Sequence, residues 1–316
     1  MSPRANPVNS EIRLQFGVRL GRILFMKLQT ECVTCIIAQV KNVTNMFHLS
    51  QEAQKAAMDD THAYLAHANY EGCTPESMGE IWQMLLRHVD GKDPYAAIKS
   101  MCNQEAMKML PETREKIFSA KEPFTVALKY AIAGNLIDYG LEHPVSLDEQ
   151  NAKIDAIAST AFSIDDSDKL HLALSKASKM LYLGDNAGEI VFDKLLIEQI
   201  RSLYPNVDIL YVVKGSAVLN DVTRADANEV GMHEVARVID NGDASPGTVL
   251  PRTSGSFQSA FAEADMVLSK GQGNFESLSG VDKKNLFFLF TAKCDTVCVE
   301  AGVPKLSIVC MENRVS

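Results

Sequence analysis

The sequence predicts an α/β protein, in which a Rossmann-like α/β/α domain on a mostly parallel sheet follows an all-helical N-terminal domain. Three observations lead there. From Met26 to about Asp165, apolar residues recur every three or four positions and the breakers fall between segments, which is the period of packed helices. After about Lys169, short apolar runs alternate with helical segments, as in parallel strands covered by helices on both faces. The chain has 316 residues, enough for about two domains with a full core. The expected division is 26–168 and 169–316, at a shift of pattern near "SIDDSDK".

Residues 1–25, "MSPRANPVNSEIRLQFGVRLGRILF", hold four arginines and one acid. That is the composition of a transit peptide, although Arg13, Arg19 and Arg22 interrupt any secretory apolar region. The expectation is a leader outside the fold, with Met26 as the natural start. Helices follow in "AYLAHANY", "ESMGEIWQMLLRHV", "PYAAIKSMCNQEAMKML" and "PFTVALKYAIAGNLIDYG". Pro75, Pro94, Pro111 and Pro123 are placed at helix starts, where a missing N–H costs little. Strands are predicted in "MLYLGDN", "VDILYVVKG", "ARVIDNGD", "DMVLSKGQGN", "NLFFLFTAK" and "KLSIVCMEN", with helices between them.

Composition narrows the partners. The net charge is −9 and no run of lysines or arginines concentrates positive charge, which argues against nucleic acid and against an anionic membrane. No apolar stretch approaches the length of a bilayer span. Seven scattered cysteines, an odd number in apolar surroundings, read as reduced thiols of a cytoplasmic protein. An acidic chain better suits a metal ion, or a substrate that a metal neutralises.

In an open parallel sheet, ligands bind beyond the carboxyl ends of the strands. Here those ends carry Gly184-Asp185-Asn186, then Lys214-Gly215 running on to Asn220-Asp221, then Asp240-Asn241-Gly242-Asp243, then Lys270-Gly271-Gln272-Gly273-Asn274. Any one of these reads equally as a turn, and Asp221 or Thr223 as a helix cap. Their convergence on one edge favours chemistry. Two or three oxygen ligands suit a hard divalent cation that keeps some of its waters. A lysine and glycine amides beside it suit an anion, and together they are what phosphoryl chemistry asks for.

Other motifs are weaker. "KGQGNFE" lacks the third glycine of a dinucleotide loop, since Glu276 stands there. Cys32 and Cys35 in "ECVTC" are one helical turn apart, and only Cys294/Cys298 offers a second pair for zinc. No H-E-x-x-H or G-x-S-x-G pattern occurs, and His62, His67 and His88 read as ordinary helix residues. In "AIAGNLIDYG", Gly134 reads as a packing glycine, or Asn135 and Asp138 reach over the sheet edge.

Taken together, "ECVTCIIAQV", "AIAGNLIDYG", "LYLGDNAGEIVFDKLLIE", "VVKGSAVLNDVTRADANEVG", "SKGQGNFESL" and "AKC" resemble the damage-control phosphatase family, also known as domain of unknown function eighty-nine. They come in the family's order from about Met26 to Cys310, and the CxxC form is similar to its prokaryotic, stand-alone branch. The resemblance implies one divalent ion, Mn²⁺, Co²⁺, Ni²⁺ or Mg²⁺, held by Asp185, Asn186 and Asp221. It implies phosphate contacts from Lys270 and Asn274, with Gly271, Gly273, Glu189, Asn220, Asn135 and Asp138 also placed around the substrate. The implied activity is metal-dependent hydrolysis of small phosphate monoesters, such as sugar phosphates and damaged phosphorylated metabolites. One departure is Lys305, where the family favours a glycine; it leaves the register of the last strand open.

The expected mechanism is in-line attack by water, with Asp185, Asn186, Asp221 and Lys270 as the catalytic set. Asp185 as a nucleophile is the competing route. An S-adenosylmethionine-dependent carboxyl methyltransferase and a non-catalytic metal or metabolite sensor are the alternative functions. Oligomeric state is not readable from the sequence.

Overall fold

The computed structural model describes residues 26–89, 93–134 and 147–314. Asn135 and Asp138 therefore lie outside the described residues, as does the leader 1–25.

The first half is helical: α1 (Thr30–Met46), α2 (Gln51–Leu65), α3 (Thr74–Leu86), α4 (Ala96–Ser119), α5 (Pro123–Ala133) and α6 (Leu147–Ala158). Ser50 caps α2 by accepting from the Ala53 N–H at 3.2 Å. Pro75 lies in the first turn of α3 and Pro123 opens α5, as their missing N–H groups allow. Two expectations need correcting. "AYLAHANY" is helical only to Leu65 and then turns. Pro111 starts no helix, because α4 runs straight through it. Its buried positions Cys102, Ala106, Met109, Thr113 and Ile117 recur at helical spacing, and packing along that face outweighs the one backbone bond that proline removes.

The second half alternates as predicted. β1 (Ile164–Asp165) leads to α7 (Ser167–Leu174), β2 (Lys179–Leu183), α8 (Glu189–Leu203), β3 (Asp208–Val213) and α9 (Arg224–Glu229). β4 (Arg237–Asp240), α10 (Gly255–Glu263), β5 (Met266–Lys270), α11 (Gln272–Leu278), β6 (Leu286–Thr291), α12 (Asp295–Ala301) and β7 (Ile308–Glu312) complete it. The sheet order is β1-β7-β6-β5-β2-β3-β4. β4, β3, β2, β5 and β6 are mutually parallel, β7 is antiparallel to β6, and β1 pairs parallel with β7. Two-residue β1 lies in "SIDDSDK", so the sheet reaches back across the position where the halves were expected to part.

β7 pairs from Phe287↔Glu312 to Thr291↔Ile308, which fixes the register left open at Lys305. The positive φ of that connection falls on Leu306, at +63°, and on Gly302, at +69°. Lys305 itself needs no glycine conformation.

Strand residues alternate between two apolar layers. Met180 and Tyr182 face α4, α5, α7 and α8, in a cluster that includes Ala127, Ala131, Phe192 and Leu196. Leu181 and Leu183 face the other side, with Phe257, Phe275 and Phe288. Helices α4–α6 thus share the core of the sheet. A third cluster around Trp82 holds α1–α3 together and extends to Val218 and Ala244, on the loops after β3 and β4. Trp82 fastens it by donating from Nε1 to the Ala217 carbonyl at 2.8 Å.

Candidate active site

The chain places β3 and β4 on one side of β2 and then crosses to put β5 on the other. That reversal opens a crevice between the ends of β2 and β5, where open α/β sheets take ligands. Asp185 and Asn186 follow β2, and Lys270 and Gly271 end β5.

The loop after β2 is stapled to the loop after β3. Asn186 and Asp221 form an antiparallel bridge, Val222 N–H donates to Asp185 O at 2.9 Å, and Ala187 N–H to Asn220 O at 2.9 Å. Asn220 therefore contributes its backbone, and its side chain is exposed. Leu219, just before, adopts φ +47°, a strained value for a leucine. Thr223 caps α9, its N–H donating to Asp226 Oδ2 at 2.8 Å, so the cap falls to Thr223 and leaves the Asp221 carboxylate to the crevice.

Asp185 and Asn186 are half-buried, and Asp221 is buried. The Asn186 amide donates to Asp185 Oδ2 at 2.9 Å. Lys214 Nζ lies 3.3 Å from Asp221 Oδ2 and donates to Gly247 O at 2.5 Å. The contact with Asp221 is an ion pair without a well-directed hydrogen bond, for Oδ2 is buried and lacks one. Burial pushes the Asp221 carboxyl up to about 7; Lys214 opposes this and Asp185 adds to it.

Behind Asp185 lies a second charged group. Lys270 Nζ is fully buried and donates to Glu189 Oε1 at 2.5 Å, Asp193 Oδ1 at 2.7 Å and Ala131 O at 2.7 Å. Burial alone would lower this lysine, but Asp193 and Glu189 carry it above its ordinary value. Asp193 also accepts from Tyr182 and Tyr211 hydroxyls at 2.6 and 2.9 Å. Glu189 is pushed up to about 8, first by burial, against the pull of Lys270 and with Asp185 and Asp193 adding to it. Its Oε2 is buried without a hydrogen-bond partner.

This changes three expected contacts. All three Lys270 hydrogens have acceptors within the protein, so it sits behind the carboxylates instead of reaching into the crevice as a phosphate ligand. The Gly271 N–H donates to Leu289 O at 3.0 Å, and is no anion donor. Asn274 donates to Lys270 O and accepts from Thr248 Oγ1, both at 2.7 Å, which ties the 246–248 loop to the end of β5. The glycines serve close approach. A Cβ on Gly271, at φ +82°, would meet Asp185 Oδ2 at 1.9 Å, and one on Gly273 would meet Pro246 O at 2.1 Å. Gly134 is a packing glycine, with Phe192 Cδ2 and Glu189 Cα at 2.8 and 3.1 Å from its absent Cβ.

Among the described residues, no three His, Cys, Asp or Glu side chains converge as a ready ligand set. The two cysteine pairs therefore build no zinc site, and the seven cysteines are thiols. What the crevice offers is different in kind: two carboxylates and one amide. These are oxygen ligands only, at a place where buried acids are held above their ordinary range chiefly by burial, each against the pull of a neighbouring lysine. Such a set fits one hard divalent cation.

The sequence profile of the damage-control phosphatase ARMT1-like domain matches residues 28–309. The chain belongs to this family. A damage-control phosphatase of Pyrococcus horikoshii is 34% identical over 291 residues, covering 92% of this chain and 99% of that one. A damage-control phosphatase of Archaeoglobus fulgidus is 29% identical over 282 residues, 88% of this chain and 96% of the relative. The crystal structure of a DUF89 family protein from Pyrococcus horikoshii superposes with a TM-score of 0.85 at 32% identity, covering 91% of this chain and 99% of the other. The family and the fold expected from the sequence are both found.

Some residues of this family member's site were not singled out from sequence. Asp193 lies four residues after Glu189 on a helix face otherwise filled by Ile190, Phe192, Leu196 and Ile197, and a lone acid in such a run was the available signal. Lys214 was visible at a strand end, but nothing local aims it at Asp221. Lys99, buried on α4, reaches Asp93 Oδ2 at 2.9 Å, Asp226 Oδ2 at 3.1 Å and the Asp221 carbonyl at 3.4 Å. Asn103 Oδ1 accepts the Gly188 N–H at 2.7 Å and so fixes the turn into α8. Both come from the helical half, across a sequence separation that no local pattern spans.

Proposed function

We propose that this protein is a metal-dependent phosphatase of small phosphate monoesters, in the class of sugar phosphates and damaged phosphorylated metabolites. The observation that carries the reading is the joining of Asp185, Asn186 and Asp221 across one backbone bridge, at the strand-order reversal, with Lys214 beside them. Asp185, Asn186 and Asp221 are the residues that would hold one divalent ion, Mn²⁺, Co²⁺, Ni²⁺ or Mg²⁺. When bound, that ion supplies charge neutralisation and polarisation of the phosphoryl oxygens.

The remaining roles belong to the chain. Lys214 supplies a fixed positive charge next to Asp221. The Lys270 ammonium clamps Glu189 through Oε1 and leaves Oε2 without a partner, and Glu189, once its raised carboxyl is deprotonated, would be the carboxylate that orients a water and takes its proton. Asp193, held by two tyrosine hydroxyls, keeps Lys270 in place. A methyltransferase reading gains no support from the glycine loop, since Gly271 makes room for the protein's own Asp185.

The test is phosphate release from p-nitrophenyl phosphate and a panel of sugar phosphates, with EDTA or with each of the four metals. Metal-dependent release abolished by Asp185→Ala supports the phosphatase; no release with any metal rejects it. Acid quench during turnover separates the two routes, because protein-bound phosphate would mark Asp185 as nucleophile.

A further inference from the structure

Helix α4 packs into the core of the sheet with Cys102, Ala106, Met109 and Ile117, yet near its start it buries a lysine and an amide. Lys99 and Asn103 are four residues apart and so share one face. Such groups are costly to bury unless their hydrogens find acceptors, and here all of them do. The Lys99 ammonium meets Asp93 Oδ2 at 2.9 Å, Asp226 Oδ2 at 3.1 Å and the Asp221 carbonyl at 3.4 Å. Asn103 Nδ2 donates to Glu229 Oε2 at 2.8 Å and to Asp226 Oδ1 at 3.3 Å, while its Oδ1 accepts the Gly188 N–H at 2.7 Å.

These bonds reach both loops that carry the candidate ion ligands. Gly188, two residues after Asn186, enters α8 at φ +80°. Asp221 follows two residues after Leu219, whose φ of +47° has to be held by its surroundings. Lys99 takes the main chain of Asp221 and Lys214 stands at its carboxylate, so the residue is gripped from the helical half and from the sheet. Asp226 joins the two α4 side chains, and it also accepts from the Thr223 N–H and hydroxyl at 2.8 and 2.7 Å. The loops meet each other through the Asn186–Asp221 bridge, with Val222 N–H on Asp185 O and Ala187 N–H on Asn220 O.

We propose that Lys99 and Asn103 are positioning residues for the crevice: a clamp on α4 that fixes the Asp185–Asn186 loop against the Asp221 loop before any ion or substrate arrives. The purpose of the clamp rests on the phosphatase reading; its mechanical part does not. Ligands held ready in this way need no ordering when an ion binds, so loosening the clamp weakens ion binding even in fully folded protein.

The test uses the full-length protein with Lys99→Met and, separately, Asn103→Leu. Arg114→Ala is the control, because Arg114 also joins α4 to α8, through Glu198 at 2.6 Å, but at an exposed position away from the loops. Amide hydrogen exchange is followed in EDTA, and Mn²⁺ affinity by electron paramagnetic resonance, both well below each variant's melting temperature. The informative amides are Ala187 and Val222, whose acceptors lie on the opposite loop and not on α4. Both clamp variants should exchange these amides at least tenfold faster and bind Mn²⁺ at least tenfold more weakly, with Arg114→Ala within twofold of wild type. A merely structural role would lower the melting temperature and leave both readouts of the folded protein unmoved. Unchanged exchange in both variants, unchanged Mn²⁺ affinity, or equal effects of Arg114→Ala overturn the proposal. Should Lys99→Met fail to fold, Asn103→Leu decides. A wild-type protein that binds no Mn²⁺ would reject the ion site itself, and exchange in the metal-free protein then judges the clamp by itself.

Discussion

Asp185 Oδ2 occupies the space beside Gly271 so closely that a methyl group there would stand 1.9 Å away. The carboxylate at the end of β2 is thus positioned by the absence of a side chain at the end of β5. Gly271→Ala should displace Asp185 and also strain a backbone held at φ +82°. The expected result is a fall in phosphate release of about a hundredfold or more, about 2.7 kcal/mol by the usual rate conversion. Near wild-type turnover would show that Asp185 is not needed where it stands.

Asp221→Asn keeps the size of the side chain and removes its charge. It should cut metal-dependent turnover by about 10²- to 10³-fold, in line with loss of a preorganised charge at a reacting phosphate. It should also abolish the rise in melting temperature expected when Mn²⁺ is added to the wild-type protein. Retention of that rise with loss of turnover would move Asp221 from ion binding to the chemical step.

Removing the ammonium behind the site has a structural cost. Lys270→Met leaves Glu189 and Asp193 buried without their cation, and breaking such a cluster destabilises by about 3–5 kcal/mol. The exposed pair Lys305–Asp295, 3.6 Å apart, makes the contrast: Lys305→Ala should change stability by no more than about 0.5 kcal/mol. Urea unfolding of both variants checks the pair of expectations.

Asp265 clasps the start of β2 by accepting from the Ser178 and Lys179 N–H groups at 2.8 and 2.9 Å. The Lys179 and Ser178 bonds hold its carboxyl below the ordinary aspartate value. A carboxyl lowered by folding stabilises fully above its unfolded pKa of about 3.9, and this is lost as pH falls through the folded value. Asp265→Asn should therefore be less stable than wild type at pH 7, with the gap closing towards pH 3. A gap independent of pH would mean that the carboxylate charge plays no part in the clasp.

Pro111 interrupts the hydrogen bonding of α4 on an exposed turn. Pro111→Ala restores the bond to the preceding turn but loosens the unfolded chain, so a net gain of about 1–2 kcal/mol is expected. Thermal unfolding reads it directly.

Local periodicity was enough to place α3, α4, α5, α8, α9, α10 and every strand but β1, because alternating and helical spacings are imposed by burial at short range. It missed the continuity of α4 through Pro111, which long-range packing enforces, and β1, whose two residues carry no period at all. At the site, Asp185, Asn186 and Asp221 were legible because each follows a strand that must end at the same edge. The true settings of Lys270, Gly271 and Asn274 were not. Whether an ammonium points outward to a ligand or inward to Asp193 depends on a helix face facing it across the core, and residue type alone does not encode that.

Lys270 is held by β5, by two acids of α8 and by the Ala131 carbonyl of α5. The helical half thus supplies a main-chain oxygen to the floor of the candidate crevice, and it cannot behave as an interchangeable cap. Grafting another helical half onto this sheet would strand a buried cation one acceptor short. Diversification of substrate preference on this scaffold must then proceed by point changes in the walls, with α5 inherited together with the sheet.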